Sequence, residues 1–163
     1  MSLFPALLDL SALAPGDIAL VLLITLVGVG GVKVAYAWAA ARVGVERIAY
    51  LSTLGAEKNP LVPHHRIEKR VAATDAAHTL LRASFFMQNL AEAHRDDVVE
   101  HDEIFVPAGD GETSFVDARD VGAVAATVLT EPGHENRAYD LTGSDALTYF
   151  EVAEVFSEAL GHR

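Results

Sequence analysis

The stretch Arg47-Ile48-Ala49-Tyr50-Leu51-Ser52-Thr53-Leu54-Gly55-Ala56 constrains the fold most. It reads as a buried β-strand that stops at small and hydroxyl residues. Segments with helical patterning lie on either side. A strand held between two helices is one step of an alternating β/α chain, whose sheet is parallel and covered on both faces. In open sheets of that kind, ligands sit just beyond the carboxyl ends of the strands. Ser52 and Thr53 are therefore expected at the rim of any site.

The rest of the chain follows the same alternation. Residues 1–16 are apolar, broken by Pro5 and Pro15, and poorly defined. Ile18 to Thr25 reads as a central strand, Val27 to Gly31 as a glycine-rich turn and Val32 to Val43 as an Ala-rich helix. After the loop Leu54 to Pro63, His64 to Asp75 is helical, with Ile67 and Val71 one turn apart. His78 to Arg82 is the next strand. Ser84 is expected to cap a short helix ending near Ala93, and His94 to Asp102 to form a charged, exposed connection. Glu103 to Val106 and Thr113 to Val116 read as strands joined through an Asp110-Gly111 turn. Asp117 suits an N-cap, and Val121, Val124, Ala125, Val128 and Leu129 form one apolar stripe. Arg137 to Leu141 is a further strand. Thr148 and Glu151 form a capping box for a last helix that buries Val152, Val155, Phe156, Ala159 and Leu160. The whole is one α/β domain over residues 1–163.

Composition narrows the partners. The net charge is -11, from 23 acidic and 12 basic residues. Such a surface repels a phosphate backbone, so no nucleic acid is expected. The chain has no cysteine, which removes disulfides and thiolate chemistry and suits a reducing, cytoplasmic setting. The apolar run Ile18 to Val32 falls short of the roughly 20 residues of a membrane span and carries Gly28, Gly30 and Gly31. A buried strand, turn and helix is the preferred reading, and no membrane is expected.

Several stretches in order resemble the NmrA-like family, atypical short-chain dehydrogenase/reductase relatives with a Rossmann fold. They are Val45 to Ala56, His65-Arg66-Ile67-Glu68, Leu80 to Asn89, Phe115 to Val121, Tyr139-Asp140-Leu141-Thr142-Gly143, and the helix from Thr148 to Gly161. The resemblance implies an NAD(P)-binding, partial Rossmann-like parallel sheet flanked by helices. The family's opening strand, Gly-x-x-Gly-x-x-Gly turn and helix hold the cofactor pyrophosphate. Gly28-Val29-Gly30-Gly31 has the wrong spacing for that turn. The chain is accordingly expected to be the middle of such a protein, lacking the N-terminal Gly-rich βαβ unit and cut at both ends. Its incomplete sheet is expected to self-associate through an exposed edge.

The resemblance also assigns candidate residues. Relatives with dehydrogenase activity use Tyr-x-x-x-Lys; the equivalent place here is His65-x-x-x-Lys69, whose members share a helix face. Histidine can donate a proton near neutral pH, but two solvated helix residues would look the same. Ser52 and Thr53 would line the nicotinamide side, Thr25 would contact ribose or adenine, Ala83 and Phe86 would belong to the cofactor site, and the pair Phe85-Phe86 would cover the ring. Phe85 and Phe86 are equally well read as core, and Ala83 stands where the family usually has proline. The seven histidines show no metal-ligand spacing, so no metal is expected. Three functions remain: an NAD(P)H-dependent reductase acting on a quinone or similar small carbonyl acceptor, a non-catalytic NAD(P)-sensing regulator, or a truncated product without independent activity.

Overall fold

The computed structural model describes residues 46–161. The strand, turn and helix expected between Ile18 and Val43, and with them Thr25, lie outside the described residues. Two small sheets organise the rest. The first has the order β1-β2-β5, from β1 (Arg47–Thr53), β2 (Ala77–Ala83) and β5 (Arg137–Leu141), all parallel. The second has the order β3-β4-β6, from β3 (Phe85–Phe86), β4 (Glu112–Val116) and β6 (Ala146–Thr148); β3 runs parallel to β4, and β6 antiparallel to it. The fold is α/β, as the alternation in the sequence implies.

Burial along β1 alternates strictly. Ile48 and Tyr50 pack with Ile67, Val71 and Leu80 under α1 (Pro63–Ala72). Ala49 and Leu51 face the opposite way, toward Leu81, Ala125, Val128 and Leu129. Three of those four lie on α4 (Ala118–Thr130), so the apolar stripe read from the sequence is the face that packs on the sheet. Pro63 opens α1, where its missing N–H costs nothing. Asp117 caps α4 by accepting from the Arg119 N–H at 2.8 Å. Gln88, on α2 (Met87–Ala93), supports the same helix start. Its Nε2 donates to Asp117 Oδ1 at 2.9 Å, and its Oε1 accepts from the Ala118 N–H at 3.0 Å.

Four local expectations are corrected. The segment His94 to Asp102 contains a helix, α3 (Arg95–His101), with Asp96 and Asp97 in its first turn and His101 in its last, which complements the helix dipole. Glu103 to Val106 forms no strand. The turn that follows is closed by the Gly111 N–H on Ala108 O at 3.0 Å, with Gly109 taking the positive φ of 55°. β4 finds its partners in β3 and β6 instead of a hairpin. Ser84 caps no helix: Phe86 occupies that position, and the Ser84 N–H donates to Leu141 O, extending the first sheet. Lastly, α5 (Tyr149–Leu160) keeps its Thr148–Glu151 capping box but buries only Val152, with Phe156 half-buried. Val155 is 58% exposed and Leu160 52% exposed, and Ala159 is exposed as well. Among the described residues the second sheet and Leu90 reach that face only as far as Phe156.

The two sheets meet where Gly143 crosses β4. Its N–H donates to Ser114 Oγ at 3.0 Å, and a Cβ built at Gly143 would collide with the Phe115 carbonyl. Among the described residues no helix is long and apolar enough to cross a membrane. Gly143→Ala is expected to destabilise the protein by about 1–3 kcal/mol in chemical denaturation, the cost of moving packed backbone. Gly122→Ala is the contrast. Nothing stands within 4 Å of its added Cβ, and it is expected to stabilise α4 by up to about 1 kcal/mol.

Candidate functional site

The candidate site is the carboxyl edge of the parallel sheet, where β1 and β2 end side by side. Strand registry aligns Ser52 with Arg82 and Asp140, and aligns Thr53 with Ala83 and Leu141. Successive residues on a strand point to opposite faces, so Ser52 and Thr53 do not line one surface. Ser52 points under α1 and is buried, whereas Thr53 lies on the α4 face and is half-buried.

Beneath α1 the sequence builds a polar cluster inside an apolar layer. Ser52 Oγ donates to Glu68 Oε1 at 2.5 Å. Arg82 donates to both carboxylate oxygens, Nε to Oε1 at 3.0 Å and Nη2 to Oε2 at 2.8 Å. Its remaining amine approaches Glu57 Oε2 at 3.4 Å, reaching into the loop after β1. Burial alone would push the Glu68 carboxyl up. The hydrogen bonds from Arg82 and Ser52, and the Arg82 charge, outweigh it and hold the carboxyl below its ordinary range. Arg82 is raised, first by its bond to Glu68. Tyr50, one pleat back from Ser52, places its hydroxyl 2.8 Å from His64 Nδ1. Burial and the nearby Glu68 charge push the Tyr50 hydroxyl well above its usual range. The sequence alone does not reveal this cluster. Glu68, directly after the Arg66-Ile67 step, looks like any charged helix position until the register brings Ser52 and Arg82 beneath it.

The expected pair, His65 and Lys69, stands on α1 outside that cluster. His65 Nδ1 lies 2.8 Å from Ala56 O. A carbonyl only accepts, so Nδ1 carries the proton and Nε2 is left to take or give one. Lys69 is exposed and forms no ion pair among the described residues. Ala83 is buried with Val116 and Val121, and Phe86 packs against the same cluster. Phe85 meets Phe115 edge-on, with ring centroids 5.7 Å apart. Both aromatics thus have core contacts. At the edge itself Leu54 N–H donates to Ala83 O at 2.9 Å, and Gly55 turns the chain away with φ 76°. Beside this closure the buried Ser84 hydroxyl has no hydrogen-bond partner. No group of three or more His, Asp or Glu residues able to hold a metal occurs among the described residues.

Removing one member of the buried pair should cost far more than removing both. Arg82→Met leaves the Glu68 charge uncompensated and is expected to destabilise by about 3–5 kcal/mol. Glu68→Leu together with Arg82→Met should fall well short of the sum of the single changes, as a double-mutant cycle in denaturant would measure. The Glu68 carboxyl is depressed by folding, so its contribution is complete above the ordinary Glu value of about 4.3 and is lost as pH falls through the folded value. A pH–stability profile of Glu68→Gln should accordingly lie closest to the native profile at the acid end.

Comparison with known proteins agrees with this architecture. The NmrA-like family model matches residues 31–163. The NAD(P)H azoreductase of Xenophilus azovorans is 44% identical over 94 residues, covering 58% of this chain and 32% of that protein. Quinone oxidoreductase 2 of Escherichia coli is 36% identical over 127 residues, covering 76% of this chain and 44% of the relative. The crystal structure of an Escherichia coli NADPH-dependent quinone oxidoreductase complexed with NADPH superposes with a TM-score of 0.72 at 33% identity, covering 80% of this chain and 47% of that one. The chain thus spans about a third to a half of the length of these relatives. It belongs to the NmrA-like family.

Proposed function

We propose that this chain forms the nicotinamide-side edge of an NAD(P)H-dependent reductase that acts on a quinone or a similar small carbonyl acceptor. The observation that carries the reading is the unpartnered Ser84 hydroxyl at the carboxyl end of β2, next to Thr53 and Ala83. A buried hydroxyl without a partner costs stability unless a ligand satisfies it. It lies where nucleotide cofactors bind parallel sheets, in a chain whose relatives are named as NAD(P)H azoreductase and quinone oxidoreductase. The residues present therefore fit a carboxamide or ribose hydroxyl.

The geometry supports a role for each residue in this reading. Bound NAD(P)H would supply the hydride. Thr53 and Ser84 would hold the nicotinamide side, with the small Ala83 and the Phe86 ring as its wall. Ser52 would act from below, through Glu68 and Arg82, to keep the edge of β1 in register with β2. The His65 ring, fixed by Ala56 O, would offer a protonated Nε2 to the acceptor oxygen as the hydride arrives, and Lys69 would stand one turn away on the same face. This leaves the acceptor reduced by two electrons and the imidazole neutral, to be reprotonated from solvent.

A second reading is favoured by one observation. His65 stands in place of the family's acid tyrosine, and the Lys69 ammonium makes no hydrogen bond or ion pair among the described residues. An edge that binds the nucleotide without turning it over would sense NAD(P)H rather than use it. The two separate cleanly. Under the reductase reading NADPH is consumed when a quinone is added, Ser84→Ala raises the KM for NADPH several-fold, and His65→Gln lowers kcat by about 10²-fold or more. Fluorescence quenching by NADPH with no oxidation on any quinone supports the sensor. Neither binding nor turnover would reject both and leave a chain without independent activity.

A further inference from the structure

In a chain of net charge -11, the distribution of unneutralised cations is uneven. Arg47, Lys58, Arg82, Arg95 and Arg119 each pair with a carboxylate. Arg66, Lys69, Arg70 and Arg137 do not, among the described residues. Arg66, Lys69 and Arg70 fall at i, i+3 and i+4 of α1 and share its exposed face, whereas Arg137 stands alone at the start of β5. Directly before that helix, at the tip of the loop after β1, stands Leu61, 90% exposed. An apolar knob thus sits at the head of a basic stripe.

The opposite character appears on α3 and α5. Val98 and Ile104 on one side, and Phe156 and Leu160 on the other, line an open groove of about 60 Å³. Asp102 and Glu103 stand on its rim. Val99 and Phe105, 67% and 79% exposed, extend the apolar surface outward. The segment from Asp96 to Glu103 holds five carboxylates and no Lys or Arg.

We infer that a second copy of this chain occupies this groove, inserting Leu61 between α3 and α5 while Arg66 and Arg70 meet the acidic rim. Apolar knob and groove, and basic and acidic flanks, are complementary in both properties at once. Single-sign faces of this kind steer like-charged partners away and select opposite ones. The contact joins two different surfaces, so each dimer keeps one knob and one groove open, and assembly proceeds to a ring or a chain rather than stopping at two. An anionic polymer on the basic stripe would leave the groove unexplained, and an apolar peptide in the groove would leave the stripe unexplained.

Sedimentation velocity over a range of protein concentrations, at low and high salt, tests this directly. The expected result is a mass that rises with concentration beyond the dimer, weakened by salt because rim charges are screened. Leu61→Asp, at a position exposed enough to leave folding intact, should weaken association by about tenfold or more. Two charge-reversed chains give the decisive arm. Arg66→Glu with Arg70→Glu, and separately Glu103→Lys, should each remain monomeric alone. When mixed, the reversed stripe of the first should meet the reversed rim of the second, and the native stripe of the second the native rim of the first, so that alternating assemblies of one-to-one composition should form. A wild-type chain that stays monomeric throughout overturns the inference. So does association that survives Leu61→Asp, or a mixture of reversed chains that fails to pair.

Discussion

The bond on which the described structure turns is the one between Glu68 and Arg82. It joins a helix to the strand beneath it, at a place where the surrounding layer is apolar. A carboxylate there is tolerable only because a guanidinium grips both of its oxygens and Ser52 adds a third donor. The pair does little for net stability compared with an apolar replacement, since both charges must leave water. What it supplies is position. A greasy helix can slide or roll on a greasy sheet, whereas a two-pronged ion pair fits in one register only. The helix that carries His65 and Lys69 is thereby fixed against the ends of β1 and β2.

Much of this is legible from the sequence. The strand Arg47 to Thr53 ends within one residue of where its small and hydroxyl residues imply, because the apolar and aromatic run gives way there to a glycine turn. The stripe Val121 to Leu129 and the Thr148–Glu151 capping box are local patterns, and local patterns survive in the fold. Sequence reading fails where the deciding partner is distant in the chain. Thr113 to Val116 reads as the partner of a segment seven residues back, but its true partners are Phe85-Phe86 and Ala146 to Thr148. Ser84 looks like a helix cap because nothing in its neighbourhood announces that Leu141 waits across the sheet for its N–H.

The site is half legible for the same reason. The end of β1 marks the edge of a parallel sheet, and that is enough to locate a rim. Which side chains face which way depends on pleat and register. Alternation separates Ser52 from Thr53, and registry alone brings Arg82 to Ser52. The unpartnered Ser84 hydroxyl has no signature in one dimension, since every serine carries the same atoms.

The parallel sheet also sets an order of assembly. β1 and β2 meet across a single helix, whereas the strap from Asn136 to the His78 N–H on the far side of β2 spans 58 residues. Within that span lies the whole β3-β4 portion of the second sheet. Closing the shorter connection forfeits less chain entropy, and the strands it pairs are nearer in sequence. The unit from β1 through α1 to β2 is thus the local, fast-forming piece. β5 can dock only after the long excursion has folded back. The strand that this long connection brings in, β5, completes the row Ser52, Arg82, Asp140.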